Sequence, residues 1–174
     1  MSKIAVYAGT FDPITNGHLD IILRASRMFE KLYIAVVEQP NKKVLFSAEE
    51  RVDLVRRSVA AAGKAVDSQI VVSSFSGLLV EYIRTLGCTV VIRGLRAVSD
   101  YEYEAQMAII NRHLAEEIET VFLMTSDNCS FISASIVREI AKLGGDVSGL
   151  VPPTVNEKLR SVFGSLKVPS EVSK

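Results

Sequence analysis

Thr10, His18, Lys42, Arg93 and Arg96 are the side chains of this 174-residue chain whose types and positions point to phosphate chemistry. Thr10 and His18 belong to Gly9-Thr10-Phe11-Asp12-Pro13-Ile14-Thr15-Asn16-Gly17-His18, which directly follows an apolar run at 4–8. That pattern reads as a strand, a tight turn and a helix opening near Gly17. A helix start offers free amide donors and the positive end of a dipole, and both favour a phosphate. Gly9 and Gly17 permit backbone conformations or close approaches that larger residues resist. Thr10 and His18 therefore flank an expected anion site with two side-chain donors.

Further cations and hydroxyls follow later apolar runs. Lys42 and Lys43 sit in the loop at 38–46. Val91-Ile92-Arg93-Gly94-Leu95-Arg96 ends a near-continuous apolar strand with two arginines flanking a glycine. Guanidinium groups bind phosphate oxygens through forked donors, and the glycine lets the main chain approach a ligand. Salt bridges to Asp100, Glu102 or Glu104 are the alternative use of these arginines. Ser130, Ser133 and Ser135 cluster at another expected helix start, where one serine can serve as N-cap and the others suit nucleotide phosphates. Asp12, Asp100 and Glu104 are candidates to help hold a metal–phosphate complex, although their spacing is no recognised cation loop. His113 falls within a helix and is read as structural.

These groups need a scaffold that brings strand ends together. Strand-like runs recur at 4–8, 32–37, 70–73, 89–92 and 120–124, with helical patterns between them. Ser47 with Glu50 and Ser99 with Glu102 each form a capping-box signal ahead of helically spaced apolar residues. Further helices are expected at 78–86 and 155–163. Alternating strands and helices imply an α/β fold: a doubly wound, five-stranded parallel sheet covered on both faces. Such sheets bind ligands beyond the carboxyl ends of their strands, where every cluster above is expected to lie.

Composition narrows the function classes. Nearly half the residues are hydrophobic, enough for one sizeable core in a single domain at 1–164, with 165–174 read as a flexible tail. Twenty basic and twenty acidic residues cancel, which removes the electrostatic footprint of a general nucleic-acid binder. No signal-peptide or membrane-spanning pattern is present, so a cytoplasmic, membrane-free protein is expected. Cys88 and Cys129 lack paired histidine ligands and indicate neither a metal site nor a disulfide framework.

Taken together, the blocks at 9–18 and 93–104, the lysine loop, Asn111-Arg112-His113-Leu114 and the segment at 131–135 resemble the phosphopantetheine adenylyltransferase family. The resemblance covers residues 3–160, and Thr15-Asn16-Gly17-His18 matches the Thr/His-x-Gly-His motif of the wider nucleotidylyltransferase superfamily. It implies a Rossmann-like nucleotidylyltransferase fold and AMP transfer from ATP to 4′-phosphopantetheine, giving dephospho-coenzyme A and pyrophosphate. By the same resemblance His18, Thr10, Lys42 and Arg93 are the catalytic set, and Thr10, Lys42, Leu79 and Arg93 bind the acceptor. ATP is assigned to Thr10, Phe11, His18, Gly94, Leu95, Arg96, Glu104, Cys129, Ser130, Phe131, Ile132, Ser133, Ala134 and Ser135. Mg2+ accompanies ATP without a dedicated protein cage, so no residue is assigned as a metal ligand. The family pattern further implies a homohexamer and feedback inhibition by coenzyme A. A related enzyme acting on nicotinate mononucleotide, or a non-catalytic nucleotide sensor, is the competing reading. The nicotinate branch tends to carry histidine where this chain has Thr15, and it lacks the Arg93–Arg96 block.

Overall fold

In a computed structural model, residues 4–38, 43–63 and 69–164 are described. Five parallel strands form one sheet: β1 (Ile4–Gly9), β2 (Lys31–Val37), β3 (Ile70–Phe75), β4 (Val90–Leu95) and β5 (Glu119–Met124). Their spatial order is β3-β2-β1-β4-β5. The helices are α1 (Asn16–Ala25), α2 (Ala48–Ala61), α3 (Leu79–Thr85), α4 (Val98–Leu114), α5 (Ala134–Lys142) and α6 (Pro153–Phe163). The chain runs outward from β1 to β3, then crosses back to β4 on the other side of β1. That reversal is the switch point at which open α/β sheets take ligands. No described helix is long and apolar enough to cross a membrane.

Strand periodicity divides the core in two. Ala5 and Tyr7 of β1, Leu32, Ile34 and Val36 of β2, and Ile92 of β4 pack on one face with α1, α2, α5 and α6. Val6, Ala8, Ala35 and Val91 face the opposite way, against Val80 and Ile83 of α3 and against Ala115 and Ile118 before β5. Burial on both sides explains why β1 reads as an unbroken apolar run rather than an alternating one.

Two local expectations change. Arg93, Gly94 and Leu95 lie inside β4, paired with Phe122, Leu123 and Met124, so the strand runs three residues past its expected end. The β5 ladder satisfies their backbone, and Leu95 is buried. Helix α4 begins at Val98 with Ala97 as N-cap and no side-chain cap, so the Ser99–Glu102 signal does not mark its start. The Ser47–Glu50 box does form, with Glu50 N donating to Ser47 Oγ (3.2 Å) and Ser47 N to Glu50 Oε2 (3.0 Å). The tail expected at 165–174 lies outside the described residues.

Ile34 is fully enclosed at the centre of β2. Ile34→Ala is expected to lower the unfolding free energy by about 2–5 kcal/mol in urea titrations. A loss below about 1 kcal/mol would show that this face is not the packed core.

Candidate active site

The seam between β1 and β4 opens the site. These strands pair only at Val6–Val91 and Tyr7–Ile92, whereas β1 stays paired with β2 as far as Gly9. Beyond Tyr7 the ladder gives way, and Arg93 Nη1 donates to the Ala8 carbonyl across the gap (2.6 Å). A cleft of about 490 Å³ occupies this position. Thr10, Phe11, His18, Arg93, Gly94, Arg96, Glu104, Ile132, Ser133, Ala134 and Ser135 all line it.

His18 is the most constrained of them. Thr15 caps α1, and its Oγ1 accepts the His18 N–H at 3.4 Å. In return the Thr15 N–H donates to His18 Nδ1 at 3.1 Å. The imidazole thus fills the place a glutamate takes in an ordinary capping box. An Nδ1 that accepts an amide proton carries none, so the neutral ring holds its proton on Nε2. Burial, joined by the positive charges of Arg96 and Arg93, pushes the His18 pKa down to about 4. At neutral pH His18 is an uncharged Nε2–H donor.

The turn before it carries the unusual backbone. Phe11 adopts φ 48°, and its buried ring meets Tyr7 and His18 edge-on at centroid distances of 5.4 and 5.1 Å. A Cβ on Gly9 would lie 3.1 Å from that ring, so Gly9 permits the close approach while Phe11, not a glycine, takes the left-handed conformation. The α1 start is also less open than expected. Asn16 N donates to Leu150 O (2.9 Å) and His18 N is capped, leaving Gly17 N as the first-turn amide without a partner among the described residues. At α5, Ser133 caps Ile136 N (3.1 Å) and its Oγ lies 3.0 Å from Ser135 Oγ.

The arginines are paired, as the competing use of these residues required. Arg93 grips Glu104 bidentately, Nε to Oε2 at 2.6 Å and Nη2 to Oε1 at 2.7 Å. With the Ala8 bond this uses three of its five N–H groups, leaving two to give a ligand. Arg96 grips Asp100 the same way (2.9 and 3.0 Å), holding that carboxyl below its usual range. Asp12 is buried and accepts the N–H groups of Leu45 (2.8 Å) and Phe46 (3.0 Å), with Arg138 3.4 Å from its Oδ2. All three carboxylates proposed to assist a metal complex are therefore committed to N–H donors. Among the described residues no cluster of His, Cys, Asp or Glu could hold a metal ion.

Other residues stand apart from the cleft. Leu79 opens α3 and packs against the core on the opposite sheet face. Leu95, Cys129, Ser130 and Phe131 do not line the cleft either; Ser130 Oγ donates to Asp127 O, and Phe131 is exposed. Lys42 lies outside the described residues, while its neighbour Lys43 lines the cleft. Tyr7, Thr15, Tyr103, Thr125 and Arg138 also line it, although nothing in the sequence singled them out as ligand contacts. Arg138 was detectable, three residues after Ser135 and so on the same helical face.

A parallel sheet with its cleft at the switch point, and a Thr-x-Gly-His helix start within it, defines a nucleotidylyltransferase. The cytidylyltransferase-like family model matches residues 6–140. The phosphopantetheine adenylyltransferase of Moorella thermoacetica is 52% identical over 167 residues, covering 94% of this chain and 99% of that one. This chain belongs to the phosphopantetheine adenylyltransferase family. Among solved structures, the Plasmodium falciparum nicotinic acid mononucleotide adenylyltransferase complexed with NaAD aligns with a TM-score of 0.70 at 15% identity, over 94% of this chain and 97% of that one. A bifunctional NMN adenylyltransferase/ADP ribose pyrophosphatase from Francisella tularensis aligns with a TM-score of 0.67 at 19% identity, over 95% of this chain and 52% of that one. At such identities the likeness establishes the shared fold alone.

The His18 geometry has a pH signature. In an NMR titration the folded protein should keep the proton on Nε2 at neutral pH and gain a second only near pH 4. An unfolded histidine titrates near about 6.5. As pH falls below that value the unfolded chain binds a proton that the folded chain refuses, so this group's contribution to stability declines toward pH 4. A folded-state midpoint near about 6.5, or a proton on Nδ1, would contradict the assignment.

Proposed function

We propose that this cleft moves AMP from ATP onto 4′-phosphopantetheine, releasing dephospho-coenzyme A and pyrophosphate. The 52% identity to the Moorella thermoacetica enzyme, over nearly the full length of both chains, carries the reading. An acceptor phosphate oxygen attacks the α-phosphorus, and the bond from that phosphorus to the α,β-bridging oxygen breaks with its electrons leaving on pyrophosphate. The nucleophile is already an anion, so no base has to remove a proton. The chain's task is to place two repelling anions and to stabilise charge at the α-phosphorus.

Thr10 and Lys42 hold the acceptor phosphate in this reading, with Arg93 assisting through its two unused N–H groups. His18 donates its Nε2–H to the α-phosphate oxygens, a role supported by its fixed tautomer and neutrality. Phe11, Gly94, Arg96 and Glu104 border the nucleotide in this reading, a role supported by their place in the cleft. The segment at 129–135 receives the β- and γ-phosphates, with support from the cleft-lining Ser133, Ala134 and Ser135 at the α5 start. Leu79 is assigned to the pantetheine arm. Magnesium enters with ATP as a counter-ion to its phosphates; the described carboxylates do not fit a protein-held metal, and no step runs through one.

The assembly we propose is a homohexamer. Ile109, Ile110 and Leu114 of α4 and Met124 at the end of β5 are exposed apolar side chains that association between copies would cover. Coenzyme A, which contains the acceptor's pantetheine arm, is proposed to compete at the acceptor side. The requirement for ATP supports a cytoplasmic location.

With ATP and 4′-phosphopantetheine the protein should form dephospho-coenzyme A, with much slower turnover of nicotinate mononucleotide. Faster turnover of the nicotinate acceptor would transfer the chain to that branch. In the same assay His18→Ala should lower kcat about 10²–10³-fold, the loss expected for one preorganised donor. Near-normal turnover of that variant would remove His18 from the reaction.

A further inference from the structure

Among the described residues, the core encloses two charged side chains, Asp12 and Arg51, each about 2% exposed. Arg51 does not line the cleft. It lies in α2 four residues before Val55 and eight before Val59, on the helix's buried face. Its guanidinium serves three main-chain carbonyls: Nε donates to Phe46 O (3.1 Å), and Nη1 to Thr10 O (2.7 Å) and Val37 O (2.9 Å).

The identity of these acceptors gives the group its meaning. Val37 ends β2 and Phe46 immediately precedes the α2 cap, so one rigid fork holds both ends of the connection between β2 and α2. Its third acceptor belongs to Thr10, on the other wall of the cleft. Asp12 grips the same connection from the opposite side through the Leu45 and Phe46 N–H groups. Phe46 is thus held at its N–H by a carboxylate and at its C=O by a guanidinium. Among the described residues of this connection, Lys43 and Val44 line the cleft, and Lys43 is the cation.

We propose that Arg51 is a positioning residue for the acceptor phosphate, setting the separation between Thr10 and the lysine-bearing connection after β2. This role rests on 4′-phosphopantetheine being the acceptor. Arg51 makes no hydrogen bond to His18, Arg96, Ser133 or Ser135. Thr10, which the family resemblance assigns to both substrates, is the one cleft residue it holds, so the larger effect falls on the acceptor side, where the connection after β2 also contributes. A planar guanidinium holds three carbonyls in fixed relation; a lysine ammonium keeps the charge but not that fork. Misplacement of a reacting group by about 1 Å can cost about 100-fold in rate.

The test compares wild type with Arg51→Lys at a temperature where circular dichroism shows both folded. Acceptor kcat/KM should fall about 10- to 100-fold, while the ATP dissociation constant changes less than about threefold. A purely structural role would move both parameters together with the folded fraction. Parallel changes in the two, or no change in either, overturn the proposal. Should Arg51→Lys fail to fold, Arg51→Gln, which removes the buried charge and keeps an amide donor but not the three-carbonyl fork, takes its place in the same comparison. A selective loss on the acceptor side then supports the proposal, and parallel or absent changes overturn it. Failure of the wild-type protein to use 4′-phosphopantetheine would instead strike the underlying reaction.

Discussion

The end of the β1–β4 ladder is the constraint on which the rest of the site depends. Because the chain reverses direction across β1, its helices leave the two central strands toward opposite sides, and a crevice opens beyond Tyr7 and Ile92. Arg93 closes the base of that crevice through Ala8 O and anchors itself on Glu104. Most cleft residues are then delivered by a strand end or by the turn that follows it, while Tyr103 and Glu104 come from α4 and Arg138 from α5. The β1–α1 turn brings Thr10 and His18, the β2–α2 connection brings Lys43, and the segment after β5 brings Ser133 to Ser135.

Electrostatic balance in the cleft is tighter than a count of cations suggests. Arg93, Arg96 and Arg138 each face a carboxylate, which fixes their geometry and leaves part of each guanidinium for a ligand. The positive field of Arg96 and Arg93, added to burial, keeps His18 neutral. A neutral donor is suited to the α-phosphorus, because it can stabilise charge developing in the transition state without binding the ground-state anion as strongly as a cation would.

The sheet was legible in the sequence because strands buried on both faces leave unbroken apolar runs, and the Gly9–His18 block marked the principal turn. Boundaries were less visible. Arg93 and Gly94 look like a strand end because of their polarity and flexibility, yet pairing with β5 carries β4 through them. The capping signal at Ser99 is overridden by an earlier helix start at Val98, with Ala97 as N-cap. Asp12 stands out as a carboxylate near phosphates, but its work with the Leu45 and Phe46 amides depends on contacts more than thirty residues away. Arg51 is hidden because charge is normally an exposure signal; only its spacing with Val55 and Val59 betrays the buried face.

The central claim is that the cleft holds both anions at once and transfers AMP directly, with His18 as donor rather than nucleophile. Stereochemistry at phosphorus tests it most directly, using ATP made chiral at the α-phosphorus and analysing the configuration of the dephospho-coenzyme A formed. One in-line displacement inverts the centre, and inversion is the result this account predicts. Net retention, the outcome of two displacements through an adenylylated His18 or Cys129, would contradict it.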